Sequence, residues 1–288
     1  MKVLVTGGSG YLGTHLRRHF HADNLSRRDG ANILSMEDAA IASEYDLVIH
    51  LAACLDKSPE ASEEVFLINV EGTINILKNM RKDAAFIFAS TKDVYGRFAD
   101  NYAEVPEECP TLYAGQSVLE WSKLIAERYV EYYAGQNGFR SCIFRLSNVY
   151  APPSDGNTPG FVGSLADAIN RGGRIRLPGN GLPVRDHLHV RDLASACDEF
   201  ANSMIRHGLY NLGGGTANAL TLNRLIEKME TVSGLQAVID DKNPLPDPIP
   251  FRYVSSLNRV SQELGWMPNM SLDEGLRTLF QRGPSSEI

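Results

Sequence analysis

The chain has 288 residues, 43% of them hydrophobic and 22% charged, a balance that excludes disordered, collagen-like and membrane-embedded classes. A formal net charge of −7 disfavours a non-specific nucleic-acid binder, which presents a net-basic face to phosphates. The length suffices for one large core or for a cofactor domain with a smaller lobe. The four cysteines, Cys54, Cys109, Cys142 and Cys197, form no CxxC pair, so neither a zinc site nor a disulfide framework is expected. Strand-like residues begin the chain, leaving no room for a signal peptide, and no apolar run reaches the ~18 residues of a membrane span. A cytoplasmic location with no membrane partner is the expectation.

In chain order, short apolar runs at 3–5, 47–50, 86–89, 141–144 and 209–212 suit strands buried on both faces of a parallel sheet. Between them, residues 63–80 and 118–134 carry apolar side chains three and four apart, the pattern of crossover helices. This alternation predicts an α/β fold with a doubly wound parallel sheet. From residue 151 to 160 the chain is rich in turn formers, which ends the core. A helix near 161–170, a hairpin around 174–189 and helices near 222–233 and 272–282 follow, mostly in a smaller C-terminal substrate lobe. The expected division is 1–150 with 185–215 for the dinucleotide domain, and 151–184 with 216–288 for the lobe.

The strongest motif is Val5-Thr6-Gly7-Gly8-Ser9-Gly10-Tyr11-Leu12-Gly13, where Gly7, Gly10 and Gly13 follow a strand and open a helix. Glycine there permits the tight turn and lets the backbone approach a pyrophosphate, whose charge sits at the helix N-terminus.

The GxxGxxG spacing resembles the short-chain dehydrogenase/reductase family in its extended, epimerase/dehydratase form. Asp23-Asn24-Leu25-Ser26-Arg27-Arg28, Leu51-Ala52-Ala53, Asn69-Val70-Glu71-Gly72-Thr73, Leu209-Tyr210-Asn211-Leu212-Gly213 and Leu264-Gly265-Trp266-Met267-Pro268 extend the resemblance to about Arg282. It implies a Rossmann domain holding NAD between the glycine turn, with Tyr11 and Leu12, and Leu51, Ala52 and Ala53. Asp23 is then the acceptor for the adenosine ribose hydroxyls, flanked by Asn24, Ser26 and Arg27. A carboxylate there repels a 2′-phosphate, so NAD is favoured over NADP, although Arg27 and Arg28 pull the other way.

Phe88-Ala89-Ser90-Thr91-Lys92-Asp93-Val94-Tyr95-Gly96 resembles the strand end that carries the family's catalytic hydroxyl, here Thr91. Lys92 and Asp93 occupy positions that hold an acid and a base in the family's sugar dehydratases, which tilts the expected reaction towards dehydration; an exposed surface pair is the structural alternative. Ser122-Lys123-Leu124-Ile125-Ala126-Glu127 fits the helix with the family's YxxxK pair, Lys123 being the lysine that grips the nicotinamide ribose. Four residues earlier stands Leu119, not tyrosine. Leucine cannot take the hydroxyl proton as hydride leaves. Asp93 is the first candidate for a substitute base and Lys92 the second, with Tyr113 as a relocated phenol.

In the lobe, Asn148 resembles the family's sugar contact and Arg185 its diphosphate contact, a role that suits a guanidinium fork. The second diphosphate arginine falls in a proline-rich stretch at 243–250, leaving Arg252 as the nearest cation. His187 and His189 alternate on one strand without a third ligand, so no metal is expected. The resemblance implies an NAD-dependent enzyme that transiently oxidises a nucleotide-diphosphate sugar, and a homodimer packed through helices 63–80 and 118–134. An NADPH-dependent keto-sugar reductase and a catalytically silent NAD-binding protein are the alternatives.

Overall fold

The computed structural model describes residues 1–281 apart from 155, 156, 158, 243 and 244. Its main sheet holds six parallel strands in the order β2-β1-β3-β4-β5-β9. These are β1 (Val3–Thr6), β2 (Asp23–Leu25), β3 (Leu47–His50), β4 (Ala85–Thr91), β5 (Arg140–Leu146) and β9 (His207–Leu212). A smaller sheet contains β6 (Asn148–Tyr150), β8 (Val184–His189), β10 (Ala219–Thr221) and β12 (Arg252–Tyr253), while β7 (Arg174–Ile175) pairs with β11 (Val238–Ile239).

The central strands carry apolar runs because they are covered on both sides, and successive side chains go to opposite layers. Val3, Val5, Leu47, Ile49, Ala85, Ile87, Cys142 and Phe144 join one core. That layer is closed by α1 (Tyr11–Phe20), α7 (Val190–Asn202) and α9 (Asn258–Leu264). The alternate residues Leu4, Val48, Phe86, Phe88 and Ile143 join a second core, covered by α4 (Gly72–Lys78) and α5 (Val118–Asn137). A third cluster unites α6 (Phe161–Arg171), α8 (Leu222–Ser233) and α10 (Leu272–Phe280) in the C-terminal lobe.

The doubly wound sheet is as expected. The predicted helix at 63–80 comprises α3 (Ser62–Phe66), a π turn at Leu67–Glu71 and α4. Its outer side and that of α5 leave Phe66, Leu67 and Tyr132 exposed. α5 begins with a reciprocal Ser117/Glu120 capping box and ends on Gly138 in the left-handed region, so its length is set by local chemistry at both ends.

Two expectations fail. No hairpin forms at 174–189: β7 pairs with β11, and β8 pairs with β6, β10 and β12. The boundary at 185 falls inside β8, which belongs to the smaller sheet. The last helix ends at Phe280, and Arg282 lies outside the described residues. Among those residues no helix is long and apolar enough to cross a membrane, and all four cysteines are free.

Candidate active site

From β1 the chain passes outward to β2, then returns to β3 on the other side of β1. The reversal opens a crevice at the carboxyl ends of β1 and β3, the place where open α/β sheets bind ligands. At β1 the turn depends on two glycines. Gly7 has φ +69, and an added Cβ would lie 2.8 Å from Ala52 N. A Cβ on Gly13 would lie 2.2 Å from Gly7 O, so helix α1 rests directly on the turn.

A cavity of about 530 Å³ runs along this edge. Gly7, Gly10, Tyr11, Leu12 and Gly13 form one wall; Leu51, Ala52 and Ala53 face them; Ser26, Arg27 and Arg28 close one end; Thr91, Leu119 and Lys123 close the other. Its size is that of small-molecule sites, and its shape joins a glycine turn at a helix N-terminus to a hydroxyl and an amine. These residues fit a dinucleotide with its pyrophosphate on the turn. Tyr11 also clips the substrate-lobe loop to this wall, since its Oη donates to Ala151 O at 2.8 Å and accepts from Ala151 N at 2.7 Å. Arg28 donates to Ser9 O at 3.0 Å and to Asn157 Oδ1 at 2.7 Å.

Asp23 is not at this cavity. It opens β2 opposite Leu4, at the amino end of the sheet, and its carboxylate accepts from Tyr45 Oη at 2.9 Å. α1 ends at Phe20 with His21 in the left-handed region, so the short return places Asp23 at the first residue of the strand; Ser26 and Arg27 follow its carboxyl end. Asn24 turns sideways, donating to Ser9 Oγ at 2.8 Å and to Asp29. Asp23→Ala is therefore expected to leave the ratio of NAD(H) to NADP(H) affinities unchanged within about 0.5 kcal/mol, the scale of a surface substitution. Titration of both cofactors checks this, and a larger change would return Asp23 to the ribose.

At the other end, β4 delivers Thr91, whose Oγ1 accepts from Asp93 N at 3.2 Å. Lys123 Nζ donates to Ala89 O at 2.8 Å and lies 4.8 Å from the Phe88 ring centroid. Burial pulls its pKa down to about 8 against the opposing Glu127. Glu127 itself is buried, holding Arg145 at 2.7 Å and Ser90 Oγ at 2.5 Å. His50 bridges Thr6 Oγ1 and Thr73 Oγ1 at 2.7 and 3.0 Å; burial, aided by Lys123, depresses it to about 3, so it is neutral.

Lys92 and Asp93 form neither a surface pair nor a free acid and base. They bind each other, with Lys92 buried over the Tyr253 ring at 5.3 Å. Lys57 joins Asp93 at 3.2 Å and Glu120 at 2.6 Å. Burial raises the Asp93 carboxyl, but Lys92, Lys57 and Arg185 outweigh it and hold it well below the carboxylate range. Such a carboxylate is a weak proton acceptor, and neither residue lines the cavity. Tyr113 is exposed, stacked on Trp121 at 6.5 Å between ring centroids, and does not line it either.

The substrate-lobe residues are displaced in the same way. Arg185 gives three N–H bonds to the carbonyls of Val184, Phe251 and Pro250, which occupies the fork expected for diphosphate. Arg252 donates through Nη2 to Ala103 O at 3.3 Å. Asn148 pairs with His187 across the β6/β8 ladder, while its neighbours Ser147 and Val149 reach the cavity. His189 Nδ1 accepts from Arg191 N at 3.2 Å, and no group of three potential metal ligands occurs among the described residues.

Asn69, inside the π turn, was not among the expected site residues. It accepts from Cys54 N at 2.7 Å and donates to Cys54 O and Ser122 Oγ at 2.9 and 2.8 Å. It thereby ties the β3 turn to the helix carrying Lys123. π turns concentrate at functional sites, but the sequence gives no local sign of one here.

A doubly wound sheet, a glycine turn at its switch point and a Thr/Lys pair at the end of β4 and on α5 define an extended short-chain dehydrogenase/reductase. The chain belongs to the NAD-dependent epimerase/dehydratase family, whose model matches residues 3–213. It is 26% identical over 335 residues to CDP-paratose 2-epimerase of Salmonella typhi, covering 97% of this chain and 98% of that protein. It is also 26% identical to dTDP-glucose 4,6-dehydratase of Neisseria meningitidis serogroup B, with 97% and 92% covered. The crystal structure of UDP-glucose 4-epimerase from Thermotoga maritima with UDP-glucose shares the fold, with a TM-score of 0.81, 24% identity and 97% of each chain covered.

Proposed function

We propose that this protein transiently oxidises the sugar of a nucleotide-diphosphate sugar and returns the hydride to the same molecule, in the manner of an epimerase. The observation that carries the reading is the single cavity joining the glycine turn to Thr91 and Lys123. Bound NAD supplies a hydride acceptor at that end. Thr91 is the hydroxyl that would hydrogen-bond the sugar oxygen, with Lys123 lining the same end.

Lys92 and Asp93 as an available acid and base would support dehydration. Their mutual pairing withdraws that support, since elimination needs a proton donor and acceptor that are free to exchange. The test is incubation of NAD-loaded protein with a panel of nucleoside-diphosphate sugars and identification of the product by NMR. An epimer is expected; a keto-sugar lighter by one water would restore the dehydratase reading.

One observation favours a second reading. Among the described residues no carboxylate lines the cavity beyond β2, where Ser26, Arg27 and Arg28 stand. Two guanidinium groups suit a 2′-phosphate, so an NADPH-dependent keto-sugar reductase is the runner-up. Tighter binding of NADP(H) than NAD(H) by tenfold, about 1.4 kcal/mol, would promote it.

A further inference from the structure

The cavity raises a problem that the family pattern does not solve: something must take the hydroxyl proton where Leu119 stands. Leu119 and Lys123 are four residues apart on α5, hence on one face of the helix, and both line the cavity. Among the described residues the other titratable side chains on its wall are Tyr11, Arg27 and Arg28. Tyr11 is engaged with both polar main-chain atoms of Ala151, and the arginines lie at the opposite, β2 end. Asp93 is spent on Lys92 and Lys57, and Lys92 on Asp93.

We propose that Lys123 is the proton acceptor in this enzyme, acting as a neutral amine where its relatives use a phenol. The proposal rests on the oxidation reading above. The alcohol proton moves to the Nζ lone pair, the O–H electron pair becomes the second C–O bond, and the C–H pair leaves as hydride to an oxidised nicotinamide dinucleotide. Re-reduction reverses each transfer. A neutral amine keeps two N–H bonds, so it can still donate to Ala89 O while presenting its lone pair.

The surroundings favour that state. Lys123 is buried, and β4 faces it with the Phe88 ring and the Ala89 carbonyl, neither of them an anion. β3 contributes His50, which is neutral. On α5 itself the opposing carboxylate is Glu127, already shared by Arg145 and Ser90. A lysine brought to about 8 by burial is in the range enzymes use for general bases.

The test uses the wild-type protein first. Acylation of Lys123 by acetic anhydride, followed by peptide mass spectrometry across pH, reads its titration without reference to turnover. A midpoint near 8 supports the proposal. One near the ordinary value of about 10.4 overturns it. Turnover is then expected to rise with pH through the same midpoint, because the free amine is the acceptor. Lys123→Arg keeps the cation and the bond to Ala89 O but cannot deprotonate. It should bind NAD within about threefold of wild type and lose at least ~100-fold in kcat, the contribution of a general base. Near-normal kcat in this variant overturns the proposal; loss of NAD binding together with kcat, with Lys123 titrating near 10, shows a holding role only. If no nucleotide sugar turns over although Lys123 titrates near 8, the proposed reaction falls and the amine's basicity stands.

Discussion

Alanine at Glu127 is expected to destabilise the protein by about 3–5 kcal/mol, the cost of breaking a buried ion pair from one side. Glu127 and Arg145 have side-chain exposures of 0% and 3%, and the carboxylate receives two guanidinium N–H bonds as well as the Ser90 hydroxyl. Removing it leaves an uncompensated charge between β4, β5 and α5. Tyr95 Oη and the Glu107 carbonyl remain as acceptors for Arg145, and neither is an anion at neutral pH. The exposed pair Arg128–Glu131 on the same helix is the control: Glu131→Ala should cost under about 0.5 kcal/mol. Denaturant unfolding checks both. A loss below about 1 kcal/mol for Glu127→Ala would mean that solvent reaches Arg145 and that the pair is not buried in the sense used here.

The second large effect is expected at Gly13. Its added Cβ would meet Gly7 O at 2.2 Å and Gly8 Cα at 2.7 Å, both backbone atoms that cannot rotate aside. Gly13→Ala must push α1 off the glycine turn, an overpacking cost of about 1–3 kcal/mol, and it displaces the amides that would hold a pyrophosphate. NAD affinity should therefore fall at least about tenfold, about 1.4 kcal/mol. Gly10→Ala is the milder companion, because its Cβ would meet Gly7 O at 3.1 Å. Calorimetric titration ranks them; equal loss at both positions would mean that the turn, not its contact with α1, limits binding.

What the sequence reveals and what it hides divide along the range of the interactions. The β3 strand is legible because all four residues are buried on both faces, so the apolar run and the strand coincide. Leu119 is legible by counting back from Lys123 within one helix. Asp23 misleads because motif similarity does not say where β2 ends. The early stop of α1 at Phe20 moves the strand so that its acidic residue sits at the wrong edge.

The charged residues are hidden for a different reason. Lys92 and Asp93 look available in the sequence, but their state depends on Lys57, 36 residues before Asp93. Arg185 looks like an anion clamp, yet two of its three carbonyl partners lie 65 and 66 residues away. The 174–189 segment fails as a hairpin because its strands find partners elsewhere in the lobe. Burial and pairing of charges arise only once distant segments meet, and they decide which groups remain free for chemistry.

The proposed reaction requires a nicotinamide cofactor and a sugar hydroxyl to meet at the Thr91–Lys123 end of one cavity. It is tested most directly by following the near-ultraviolet absorbance of nicotinamide when nucleoside-diphosphate sugars are mixed with protein loaded with stoichiometric oxidised NAD. An accepted sugar is expected to reduce part of the bound cofactor, with a signal that decays as product forms and with deuterium on the reacting carbon retained. Bound NAD that stays fully oxidised with every sugar, with no product formed, would contradict it.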